Sequence, residues 1–141
     1  MKIKTISKNN NKLKLFNQSE WPYANIENYG HSKDWNAKNF VFAAIDESKN
    51  IVGTLGMKVE GGVGYIGTML VAKKHRNKGI GKLLMNHARD IAKEQNAHKI
   101  FLQTGLNWPS VNFYRKLGYK ITGKLKDHYF HLDFIELSLF L

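Results

Sequence analysis

The stretch Val71-Ala72-Lys73-Lys74-His75-Arg76-Asn77-Lys78-Gly79-Ile80-Gly81-Lys82 decides the reading of this chain, because it carries a strand-like run into a helix through a basic, glycine-punctuated loop. The first N–H groups of a helix lack an intrahelical acceptor and stand at the positive end of its dipole, so they receive anions. Gly79 and Gly81 put no side chain in the way of close approach, and Arg76, Lys78 and Lys82 add positive charge around the same point. A pyrophosphate suits such a site. The plainer reading makes the glycines turn residues and the cations a solvated loop. Two nucleotide signatures are excluded. The P-loop's four-residue spacer and its Ser or Thr after the lysine are missing, as are the third glycine and early βαβ position of a dinucleotide fingerprint.

Immediately downstream, residues 79–96 place Ile80, Leu83, Leu84, Ala88, Ile91 and Ala92 at helical spacing, with Lys82, Arg89, Lys93 and Glu94 elsewhere on the wheel. Upstream, residues 40–45, 51–59 and 63–71 read as strands joined by turns at Ser48-Lys49-Asn50 and Gly61-Gly62, which makes an antiparallel meander. Downstream come a strand at 99–104, a helix at 110–117 closed by Gly118, and strands at 119–126 and 131–141. Residues 2–7 alternate as a first strand would. The polar, aromatic-dotted region 13–35 lacks clear periodicity and reads as short helices and loops. The sum is one α/β (α+β) domain over residues 1–141, with a mixed, mostly antiparallel sheet of six to seven strands flanked by helices.

A second motif follows at Asn107-Trp108-Pro109-Ser110-Val111-Asn112-Phe113-Tyr114-Arg115-Lys116-Leu117-Gly118-Tyr119. With Arg76-Asn77-Lys78-Gly79-Ile80-Gly81 before it, the chain resembles the GNAT superfamily of N-acetyltransferases. That family's signatures are Arg or Gln, two residues, Gly, one residue, Gly or Ala, and later an Asn followed by a Tyr and a Gly-aromatic pair. The resemblance covers roughly the C-terminal half. It implies direct transfer of acetyl from acetyl-CoA to a primary amine of a small molecule or protein, through a tetrahedral intermediate. It also implies that the amides of Met69 and Val71 bond the pantetheine arm where their strand splays from the next. The amides of Asn77, Gly79, Gly81 and Lys82 would hold the pyrophosphate with Arg76 and Lys78 beside them, Asn107 and Phe113 would flank the arm, and Tyr114 would face the thioester sulfur. Met69 would stabilise the oxyanion.

One departure concerns the base. Relatives that deprotonate the amine directly often carry a Glu where this chain has Tyr65, and no carboxylate occurs from Gly61 to Val71. Glu60 and a water chain are the alternatives. Other residues stay open between two readings. Trp21, Tyr23, Tyr29 and Trp35 fall where relatives build the acceptor pocket, or they are simple packing. Asp127, Asp133 and Glu136 supply negative charge to an amine, or they face solvent. His128 and His131, three apart in a strand-like run, point to opposite faces and lack a third ligand, so no metal is expected.

Composition bounds the rest. The absence of cysteine excludes a disulfide framework, a thiolate zinc site and a cysteine nucleophile. A net charge of +11 attracts anions, and a phosphorylated cofactor, nucleic acid and an anionic membrane surface all satisfy it. The alternative function is therefore a basic nucleic-acid-binding module without catalysis, although no nucleic-acid motif is present. With no run of ~18 apolar residues, a cytoplasmic chain without a membrane partner is expected; the resemblance implies an enzyme with an amine acceptor, no nucleic-acid partner and room for a homodimer.

Overall fold

The computed structural model describes all 141 residues. Their contacts divide them into two compact units, Met1–Asp34 and Trp35–Leu141. The first unit holds α1 (Asn11–Tyr29), whose N-cap Asn10 accepts from the N–H groups of Lys12 and Leu13 and whose C-cap Gly30, at φ 77°, donates to the Ile26 carbonyl. Two sequence expectations are corrected here. Residues 2–7 form no strand: their alternation rests on Ile3 and Thr5, Ile6 falls on the opposite face, and no strand of the sheet pairs with them. Short helices and loops across 13–35 give way to one 19-residue helix. Its apolar residues are spread around the wheel and Pro22 interrupts its donors, so no periodic stripe marks it.

The second unit is built on a six-stranded sheet in the order β1-β2-β3-β4-β6-β5. Its strands are β1 (Lys38–Ile45), β2 (Ile51–Glu60), β3 (Val63–Val71), β4 (Lys99–Gly105), β5 (Lys120–Leu125) and β6 (Phe134–Phe140). Every neighbouring pair is antiparallel except β3 and β4, which α2 (Ile80–Glu94) connects in parallel. The mixed, mostly antiparallel sheet flanked by helices is thus the architecture, with six strands. The turn between β2 and β3 needs Gly61 and Gly62, at φ 57° and 78°. On one face α2 buries Leu84, Met85, Ala88 and Ala92 against Leu55, Met57, Ile66 and Ile100. The helix lies so close to β2 that a Cβ on Gly53 would stand 3.1 Å from both Ile80 and Leu84. No helix is long and apolar enough to cross a membrane.

What positions the site is a defect in the sheet. β3 pairs with β4 only from Val63 to Ile66, opposite Lys99 to Leu102. Beyond that point the β2–β3 register shifts, with Gly56 opposite Thr68 and Met57 opposite Ile66, so Gly67 is an extra, unmatched residue. A bulge of this kind bends its strand. The rest of β3 stays on β2 and leaves β4, and a wedge opens between them.

Candidate active site

Backbone groups line one side of the wedge. N–H groups alternate between the two edges of a strand, and the N–H of Ala72 donates to Val52 of β2 at 2.9 Å. Those of Met69 and Val71 consequently face the gap that β4 has left. The Val71 carbonyl faces it too and accepts from Arg76 Nε at 3.1 Å, which ties the basic loop to the rim.

The loop then delivers a helix N-terminus. After a short 3-10 turn at Lys73–His75, Asn77 and Gly79 take left-handed conformations, at φ 60° and 83°. The first intrahelical bond of α2 runs from Leu83 N–H to the Gly79 carbonyl, and no side chain caps the helix. The N–H groups of Asn77, Lys78, Gly79, Ile80, Gly81 and Lys82 donate to no backbone carbonyl. No acidic residue occupies the first turn. This is a concave donor array at the positive end of a dipole, suited to an anion. A Cβ on Gly79 would meet nothing within 4 Å, so the residue is glycine for its backbone and not for space. Gly79→Ala is therefore expected to cost ~1–2 kcal/mol of stability, the penalty of a left-handed L-residue, as read by urea denaturation. An unchanged midpoint would mean the loop relaxes out of that conformation.

These elements enclose a cleft of about 620 Å³. Of the residues expected from sequence, Met69, Val71, Arg76, Asn77, Gly79, Gly81, Lys82 and Phe113 line it together. Lys78, Asn107 and Tyr114 are not among its lining. Sequence reasoning missed Leu70, His75, Ile80, Pro109 and Ser110, which also face it. Ser110 opens α3 (Ser110–Lys116) and shares a 2.6 Å hydrogen bond with Thr104, linking that helix to β4. This polar pair carried no periodic signal.

Tyr114 on α3 is only 7% exposed, its ring 5.1 Å from Phe113 and 6.1 Å from Tyr119. Burial raises its pKa above the ordinary tyrosine value, so the hydroxyl stays protonated and able to donate. Tyr119 is pushed up further, chiefly by burial and then by Tyr114, with Arg89 opposing. Glu60 sits at the far end of β2, opposite Val63, and pairs with Lys58 at 2.7 Å. Val63 and Met69 are six positions apart along β3, roughly 20 Å at the rise of a strand, so Glu60 is not brought to the Met69 end of the wedge. Trp35 also lies at that far end, its carbonyl accepting from Gly61, while Trp21, Tyr23 and Tyr29 belong to α1 of the first unit. The four aromatics do not share one unit.

A mixed sheet wedged open beside a glycine-lined helix N-terminus defines an α/β architecture whose cleft is built to hold an anion at the head of the helix. The chain matches the Acetyltransferase (GNAT) family over residues 9–119 and belongs to it. Streptothricin acetyltransferase of Streptomyces lavendulae is 44% identical over 54 residues, covering 38% of this chain and 29% of that protein. An N-alpha-acetyltransferase of Sulfurisphaera tokodaii is 29% identical over 113 residues, 70% of this chain and 66% of that protein. The chain thus spans less than two thirds of either relative's length. A Bacillus anthracis str. Ames protein described as a streptothricin acetyltransferase, solved in complex with acetyl coenzyme A, aligns with a TM-score of 0.68. Its identity is 29% over 73% of this chain and 63% of that one.

Proposed function

We propose that this chain is an acetyl-CoA-dependent N-acetyltransferase, one domain of 141 residues acting in the cytoplasm, that moves acetyl directly to a primary amine of a small molecule or protein. The observation that carries the reading is the convergence on one cleft of two donor sets, the gap-facing amides of β3 and the unpaired amides at the start of α2. Family membership supports it, and so do relatives named streptothricin acetyltransferase and N-alpha-acetyltransferase.

The residues divide the work. Amides of Asn77, Gly79, Gly81 and Lys82 hold the pyrophosphate, with the charges of Arg76, Lys78 and Lys82 around it. Amides of Met69 and Val71 replace the lost β4 ladder with bonds to the pantetheine arm, and Asn107 and Phe113 flank it. Coenzyme A supplies an activated thioester. Met69 N–H stabilises the carbonyl oxygen as negative charge develops there, and Tyr114 gives its proton to the departing sulfur. Holding the partners in one geometry contributes much of the rate.

Thermal denaturation with and without acetyl-CoA tests the binding half of this reading. At ~100 times its dissociation constant the ligand should add about 2.7 kcal/mol of stability. No shift of the midpoint at millimolar acetyl-CoA would contradict the reading.

A further inference from the structure

The wedge between β3 and β4 has two faces. Side chains alternate along a strand, and Gln103 and Thr104, the first β4 residues beyond the β3 pairing, divide between those faces. Thr104 points to the cleft side, where its hydroxyl meets that of Ser110. Gln103 points to the other side, and its Oε1 lies 3.3 Å from His128 Nε2. The contact suits the tautomer in which Nε2–H donates to this oxygen, which leaves Nδ1 as the nitrogen free to accept a proton.

The loop joining β5 to β6 holds His128 in place at evident conformational cost. Asp127, Phe130 and His131 all adopt left-handed backbone, at φ 49°, 54° and 60°, and none is glycine. Such conformations persist where surrounding contacts fix them, and they gather at functional sites. The fixing contacts are present. His128 N–H donates to the Leu132 carbonyl at 2.8 Å, Asp133 Oδ1 accepts from Asp127 N–H at 2.9 Å, and His131 Nδ1 bonds Asp127 Oδ1 at 2.8 Å. Around the half-buried imidazole stand Tyr129 at 4.2 Å and Phe134 at 5.5 Å between ring centroids, with Trp108 against Phe134. Aromatic faces of this kind favour an amine or its ammonium form.

We infer that His128 is the general base of the transfer, its Nδ1 taking a proton from a primary amine that enters from the face opposite the coenzyme cleft. This rests on the acetyltransferase reading above, and it fills the place left by Tyr65 and by the distant Glu60. The neutral amine nitrogen attacks the thioester carbonyl carbon, a C–N bond forms, and the carbonyl π pair moves onto oxygen. The nitrogen's surplus proton passes to His128. Collapse breaks the C–S bond, the sulfur takes the Tyr114 proton, and solvent returns His128's proton to the Tyr114 phenolate. The products are one amide and one thiol. Gln103 is a positioning residue that fixes the tautomer.

The test measures thiol release from acetyl-CoA with streptothricin, spermidine, L-lysine and an Ala-initiated peptide, using whichever the wild type acetylates fastest. His128→Gln is expected to lower kcat at least ~100-fold, the lower end for a positioned base, with acetyl-CoA affinity by calorimetry unchanged. His128→Asn, which also lacks a titratable nitrogen, serves as a second variant and should behave alike. Wild-type kcat in either folded variant overturns the assignment. A raised KM for the amine with unchanged kcat overturns it too, since that would make His128 a binding residue only. A wild type that binds acetyl-CoA and acetylates none of the four amines contradicts the proton transfer proposed here, whereas failure to bind acetyl-CoA contradicts the acetyltransferase reading itself.

Discussion

Gly81→Glu is expected to reduce coenzyme A affinity by more than ~100-fold while the chain stays folded. Gly81 is the second residue of α2, and a Cβ there would stand 3.1 Å from Phe113 Cζ and 3.8 Å from Met69 Cε, both at the ends of side chains that line the cleft. Those ends can shift, so packing survives. The new carboxylate also lies at the positive end of the helix dipole, where it stabilises the helix. Coenzyme binding fares differently. Two like unit charges ~5 Å apart at an effective dielectric of ~20 repel by about 3 kcal/mol, which alone exceeds ~100-fold in affinity. Steric exclusion adds to it. Calorimetric titration with coenzyme A and a melting curve decide the matter together. Wild-type affinity in the folded variant would remove α2 from the binding site.

Tyr114→Phe is expected to lower kcat by ~100-fold or more and to leave coenzyme A affinity and stability nearly unchanged. The ring is buried beside Phe113 and Tyr119, and phenylalanine preserves that packing. No hydrogen bond ties the hydroxyl to another residue, so little structure is lost with it. In the role proposed for it, the hydroxyl contributes only as charge develops on sulfur, and an interaction confined to the transition state affects kcat and kcat/KM alike. Because burial raises this tyrosine's pKa, the donor form persists through neutral and mildly alkaline pH, and no loss of rate from Tyr114 ionisation should occur there. Steady-state thiol release gives the answer. Unchanged kcat would reduce Tyr114 to a core aromatic.

Local signals made much of this architecture legible. The bounds of β3 were readable because turn glycines at 61 and 62 and a basic loop after 71 punctuate it, and α2 was readable from its apolar stripe. Eight expected cleft residues converge because the loop and α2 carry most of them as one contiguous segment. What sequence hid was long-range or aperiodic. The α1 helix lacks a single apolar stripe, so its periodicity did not mark it. The Gly67 bulge depends on β2 for its register, so no window along β3 alone reveals it. His128 gave only an uninformative spacing to His131. Its pairing with Gln103, twenty-five residues earlier, exists only once β4 and β6 are neighbours.

Whether the cleft delivers an acetyl group to an amine is read from the stoichiometry of one reaction. Purified protein would be incubated with acetyl-CoA and the amine panel, with free thiol and acetylated amine quantified from the same sample by absorbance and mass spectrometry. Equal amounts of thiol and acetylated amine, both absent with Gly81→Glu, are the predicted result. Thiol without acetylated amine, or neither product from a wild type that melts unchanged in acetyl-CoA, would contradict it.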